Sequence, residues 1–214
     1  MKQIAKSIRP ILALIPGGIL VAVCYFFVDR PVAEFLHCHR PLPDSMHDWP
    51  PRISDWCTSL VIAAIFAIAA WRMWRPGGRL QTLLVALAAN LVATFAIKSF
   101  LKWAFGRSWP GTWDANIHSM ISNPIYGFHP FHSGGVYQSF PSGHAAAAFA
   151  VVSILWLSRP RWRWLYGLAA GALCAALVGL NYHFVGDVIA GAMLGSITGF
   201  YTTQMFGLRT ENIE

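Results

Sequence analysis

Acidic side chains are scarce in this sequence, and so are charges of any kind. Its 214 residues carry nine Asp and Glu against sixteen Lys and Arg, and charged residues make up only 12% of the chain. One small core cannot hide a chain that is 56% hydrophobic, which argues against a water-soluble domain. A mean hydropathy of +0.48 points instead to a bilayer as solvent. Cysteine is sparse too: Cys24, Cys38, Cys57 and Cys174 make no disulfide framework. Cys24 and Cys174 fall in apolar runs and read as packing residues, whereas Cys38 and Cys57 could pair if both face an oxidising compartment. There is no internal repeat and no extended basic face. The net charge of +7 comes as short clusters between apolar runs, a pattern that sets membrane orientation and argues against nucleic acid as a partner. The basic N-terminal stretch runs into an apolar segment without a small-residue cleavage site, so it reads as a retained first span.

What is present is a set of six apolar stretches, at about 11–28, 56–71, 80–100, 143–157, 164–182 and 188–206. The expected fold is all-α, a six-transmembrane-helix bundle forming a single domain over 1–214. Lys2, Lys6 and Arg9, then Arg72, Arg75 and Arg79, then Arg159, Arg161 and Arg163, and finally Arg209 share one side. Arg30, Arg40, Arg52, Lys98, Lys102 and Arg107 fall on the other. The positive-inside rule makes the first side cytoplasmic, with both termini inside. All eight histidines (His37, His39, His47, His118, His129, His132, His144 and His183) then lie at the outer side. So does Asp187, which between Asp55 and Glu211 shares the chain with only one other acid, Asp114. An acid at a helix end in so acid-poor a region is either a functional group or an N-cap.

Of the two outer loops, the first (29–55) is polar and proline-rich, with Trp49 and Trp56 at headgroup level. The second (106–140) is long and aromatic, which favours a lid lying on the membrane. In the last two helices Gly167 and Gly171, then Gly191, Gly195 and Gly199, recur at four-residue spacing. That spacing fits close packing within the bundle, with a homodimer face as the alternative.

Three stretches converge on the outer surface. The third helix ends in Lys98, Lys102 and Arg107, an anion site at the mouth of a bundle or a set of snorkelling side chains. Pro141-Ser142-Gly143-His144 opens the fourth helix, where free N–H groups and a positive dipole end favour phosphate. Gly143 admits an oxyanion close to the backbone, and His144 can donate a proton to a leaving oxygen. His183 and Asp187 are four apart. If the sixth helix begins before His183 they share a face, and the carboxylate can fix the imidazole tautomer and leave the other nitrogen as a nucleophile.

Lys102 with Arg107 and Pro110, then Pro141-Ser142-Gly143-His144, then His183-x-x-x-Asp187 resemble the three motifs of the type 2 phosphatidic acid phosphatase (PAP2) superfamily. The resemblance covers about residues 80–205. It implies a metal-free, cofactor-free membrane phosphatase with His183 as nucleophile, Asp187 as its orienting partner and His144 as general acid. It also implies that Lys102, Ser142 and Gly143 bind the phosphate. Two departures stand out. The family's first motif is Lys, six residues, then Arg-Pro, and here Trp109 holds the arginine position, with Arg107 two residues early as a substitute phosphate ligand. The third motif carries Ser-Arg seven and six residues before its histidine, and here Ala176 and Leu177 stand there. Lys98, His132 or Asn181 could take over the missing grip.

The expected function is hydrolysis of a lipid phosphomonoester or diphosphate at the outer face through a phosphohistidine, with a bell-shaped pH dependence. Substrate candidates are phosphatidic acid, phosphatidylglycerophosphate, a polyprenyl diphosphate and a lipid A phosphate. The compact length and Arg-rich inner loops suit a bacterial inner membrane with a periplasmic active site. Three alternatives stay open: a lipid phosphotransferase using the same histidine, a non-catalytic lipid-phosphate binder, and a metal protein built on His37, His39, His47, His129 and His132.

Overall fold

The computed structural model describes residues 12–39, scattered positions between 60 and 71, and 77–111, 119–122, 124–132 and 134–208. The described residues form helices joined by turns and one irregular segment, without a strand. The helices are α1 (Leu14–Val23), α2 (Asp29–His39), α3 (Arg79–Phe105), α4 (Gly143–Ser158), α5 (Arg163–Gly179) and α6 (Val185–Met205). A π turn (Cys24–Val28) joins α1 to α2, and a 3-10 turn (Pro160–Trp162) leads into α5. Most of the second expected span lies outside the described residues, as do both chain ends, Arg72, Arg75, His47, His118, Asp114, Trp49, Trp56 and Cys57. The Cys38–Cys57 pairing therefore lies outside them as well; Cys38 is exposed and Cys24 buried.

Two described segments, Arg79–Phe105 and Pro160–Gly179, are long and apolar enough to cross a membrane, and Gly143–Ser158 is a shorter apolar helix. The expected first span does not end at Val28: the chain stays helical to His39. Pro31 would clash in the interior of a continuous α-helix and has no N–H to offer it. The π turn just before it loosens one turn, with Asp29 N–H bonding to the Cys24 carbonyl. This extra residue re-phases the helix, so that Asp29 is buried.

Large apolar side chains point outward, Phe26 (71% exposed), Phe27 and Leu168 among them, while alanine, glycine and polar groups fill the interior. Lipid is as apolar as leucine, so helices in a bilayer associate through small residues and hydrogen bonds. That is how α3, α4 and α6 meet. Gly191, Gly195 and Gly199 lie against Ala145, Ala146 and Ala150, and a Cβ at Gly195 would come within 2.2 Å of the Ala146 carbonyl oxygen. The α6 glycines thus pack within the bundle. Asn90 adds polar ties, donating to the Ala150 carbonyl (2.9 Å) and accepting from Thr202 (3.1 Å). Thr94 pairs with Thr198 at 2.8 Å.

The segment after α3 folds back over the helix ends. Gly106 closes α3 in a left-handed conformation, φ 56°, with its N–H on the Lys102 carbonyl. A Cβ there would lie 1.8 Å from the His129 carbonyl oxygen, so only glycine fits. Isolated bridges Arg107–Phe128, Arg107–Gln138 and Trp109–Ser119 then lace the described parts of the segment between α3 and α4 together.

Candidate active site

Motif by motif, the chain brings its chemistry to one end of α3, α4 and α6. At α4, Ser142 is the N-cap, and its Oγ accepts from the Ala145 N–H. Its carbonyl takes the Ala146 N–H, and its own N–H donates to the Asp187 carbonyl at 3.0 Å. That last bond ties the second motif to the third. The N–H groups of Gly143 and His144 remain for an anion. Lys98 lies beside them: a Cβ on Gly143 would be 3.1 Å from Lys98 Cδ and 3.6 Å from its ammonium nitrogen. The Lys102 ammonium donates to the Gln138 carbonyl and lies 5.2 Å from the Trp109 ring centre. Lys98 thus borders Gly143, and the charges of Lys98 and Lys102 both act on His144. His132 instead accompanies the His129 and Pro130 carbonyls, and Asn181 donates to the Ala33 carbonyl, so neither joins the group.

His183 does not share a helical face with Asp187. α6 starts at Val185, and His183 sits on the turn before it. Asp187 occupies the third helical position and accepts the Phe184 N–H through Oδ2 at 3.1 Å. The same oxygen accepts from Ser139 Oγ at 2.5 Å and lies 3.5 Å from His183 Nδ1. The turn therefore makes the pair that a helical spacing was expected to make, and Nε2 is left for chemistry. The His144 ring is centred 6.4 Å from that of His183. Burial pushes the His183 imidazole pKa down, and Asp187 opposes this without reversing it.

Arg107, expected among the phosphate ligands, is engaged elsewhere. Its Nη1 donates to Asp187 Oδ1 at 2.6 Å, and its Nη2 to Asp29 Oδ2 at 2.7 Å and to Tyr126 Oη at 3.2 Å. It is fully buried, with the Phe184 ring centre 4.4 Å from its Cζ. The Arg107 guanidinium therefore stands behind Asp187. Burial works against its charge, yet Asp187 and Asp29 outweigh that and raise its pKa. Burial likewise pushes the Asp29 carboxyl up against the pull of Arg107, and pushes the Tyr126 phenol up to about 12.

The two positions vacated by family arginines meet each other. Trp109 and Leu177 belong to one buried apolar cluster with Ala145, Tyr182 and Val188. The Trp109 ring is centred 5.2 Å from that of His183. Trp109 thus lies between the Lys102 ammonium and the His183 ring, 5.2 Å from each. Sequence reasoning missed Asp29 and Ser139. The scarcity that singled out Asp187 does not mark Asp29, which is followed by Glu34, Asp44, Asp48 and Asp55; Ser139 has no comparable signal. Among the described residues no group of three or more His, Cys, Asp and Glu could hold a metal ion.

The model of the PAP2 superfamily matches residues 82–211. An undecaprenyl-diphosphatase of Sulfolobus acidocaldarius is 34% identical over 84 residues, covering 39% of each chain. A lipid A 1-phosphatase of Rhizobium johnstonii is 30% identical over 117 residues, 55% of this chain and 45% of that protein. The match thus spans less than half the length of these curated relatives. The crystal structure of a transmembrane PAP2-type phosphatidylglycerolphosphate phosphatase from Bacillus subtilis superposes with a TM-score of 0.53. It covers 97% of this chain and 100% of its own, at 17% identity, a likeness of fold.

Proposed function

Because the chain belongs to the PAP2 superfamily, we propose that it is a membrane-embedded lipid phosphatase acting at the outer face of a bacterial inner membrane. The observation that carries this is the buried His183, backed by Asp187 at 3.5 Å and facing His144 across 6.4 Å between ring centres. Nε2 of His183 attacks phosphorus, and the bond from phosphorus to the lipid oxygen breaks. His144 gives its proton to that leaving oxygen. A water then attacks the phosphohistidine, returning a proton to His144 and releasing phosphate with the neutral imidazole restored. Lys98, Lys102 and the Gly143 and His144 N–H groups hold the phosphoryl oxygens as charge builds on them. Contacts of 3.5 Å without substrate are ordinary for catalytic pairs that tighten on binding.

The substrate class is a lipid phosphomonoester or diphosphate, as the names of the matched relatives suggest. The test is phosphate release by the purified, detergent-solubilised protein in EDTA, across phosphatidic acid, phosphatidylglycerophosphate, an undecaprenyl diphosphate and lipid A. Release that disappears in His183→Gln supports the proposal. Release that persists in that variant, or none from any substrate, sinks it.

A further inference from the structure

We propose that Asp29 is a positioning residue of this site, which acts through Arg107 to set the charge and orientation of Asp187 behind the His183 nucleophile. The proposal rests on the phosphohistidine reading above, and it brings the first helix into the active site. Asp29 lies outside the 82–211 stretch that defines family membership.

The geometry is a chain of buried contacts. Asp29 grips two partners at once: Oδ2 accepts from Arg107 Nη2 at 2.7 Å, and Oδ1 accepts the Gly186 N–H at 2.9 Å. Arg107 holds Asp187 Oδ1 at 2.6 Å, which leaves Oδ2 to face His183. Asp29, Arg107 and Asp187 are all at most 1% exposed. Glycine permits this approach, because a Cβ on Gly186 would lie 2.9 Å from Asp29 Oδ2. Packing alone does not call for such a triad, since well-fitted apolar side chains usually do as well. Two carboxylates sharing one guanidinium leave a net negative charge beside the imidazole. With Asp29 neutral, Arg107 would spend its whole charge on Asp187, which would then hold the His183 proton less strongly.

The titratable groups facing His183 are Asp187 on α6, Lys102 on α3, His144 on α4 and Tyr182 on its own turn. None of these is altered by Asp29→Asn, which keeps the shape of the side chain and removes its charge, with one of the two acceptors on Arg107 and Gly186 replaced by a donor. The experiment follows the imidazole titrations by NMR in protein labelled with nitrogen-15 at histidine, with His183→Gln identifying the resonance. The expected result is that His183 titrates about one pH unit lower in D29N, while kcat falls about tenfold at unchanged KM. Tyr126→Phe removes the neutral partner of the same guanidinium nitrogen and should leave the titration in place. An unmoved His183 titration in folded D29N overturns the proposal, and so does an equal shift in Y126F. Should D29N not fold, the double variant D29N/R107Q removes both charges, and His183 should then titrate above the native protein. An unchanged titration there also refutes it. The titration needs no turnover, so a native protein that releases no phosphate would sink the phosphatase reading without deciding this one.

Discussion

Gly143→Ala separates a catalytic cradle from a merely compact helix start. The added methyl would stand 3.1 Å from Lys98 Cδ and 3.6 Å from its ammonium, close enough to push a flexible side chain aside by a few tenths of an ångström. Alanine favours helix over glycine by as much as about 1 kcal/mol, so the folded state should lose little or gain slightly. The phosphate site should suffer instead. A hydrogen bond from a charged group contributes about 1.5–3 kcal/mol, and losing the lower end of that through a displaced Lys98 raises KM about tenfold. The assay is steady-state phosphate release, with thermal unfolding in detergent run beside it and Lys98→Met as a reference. The expected outcome is a higher KM, a melting temperature at or above native, and no further loss when K98M is added to G143A. Native kinetics in G143A would refute the placement of Lys98 at the phosphate.

Other perturbations read different parts of the account. His144→Gln should slow turnover by about 10²–10⁴-fold, with a smaller loss on a diphosphate, whose leaving group needs less protonation; equal losses on both substrate types would count against a general acid. Gly195→Ala should destabilise the fold by about 1–3 kcal/mol, since its Cβ would meet the Ala146 carbonyl at 2.2 Å and the Ala150 nitrogen at 2.6 Å; an unchanged melting temperature would contradict the α4–α6 packing. His183 must be neutral to attack, and burial lowers its pKa, so activity should persist below the ordinary histidine range of about 6.5 and fall only as pH drops through the lowered value. An acid limb of kcat/KM centred above that range would show that the imidazole is not held in this way.

The residues most legible in the sequence were those whose chemistry is local. Ser142, Gly143 and His144 read as a proposed phosphate-binding helix start because cap, glycine and histidine are adjacent in the chain. His183 and Asp187 were paired by spacing, although the pairing is made by a turn, since Phe184 caps α6 and excludes His183 from it. The helix bounds of α3, α4 and α6 lie close to the apolar runs that foretold them. What could not be read is what tertiary packing joins across the chain. Arg107 and Asp29 meet over 78 positions, Asp29 reaches Gly186 over 157, and a π turn decides which way Asp29 points. In the sequence Arg107 reads as a phosphate ligand because it stands two residues from the position of the motif arginine. Two carboxylates claim it first.

The central claim is a covalent phosphoryl group on His183. Rapid quenching of the enzyme with a lipid carrying phosphorus-32 in its terminal phosphate, followed by peptide mapping, tests it directly. The account expects acid-labile, alkali-stable label on the peptide that carries His183, and none in His183→Gln. Phosphate release from a protein that never carries label at His183, under quench times shorter than one turnover, would contradict it.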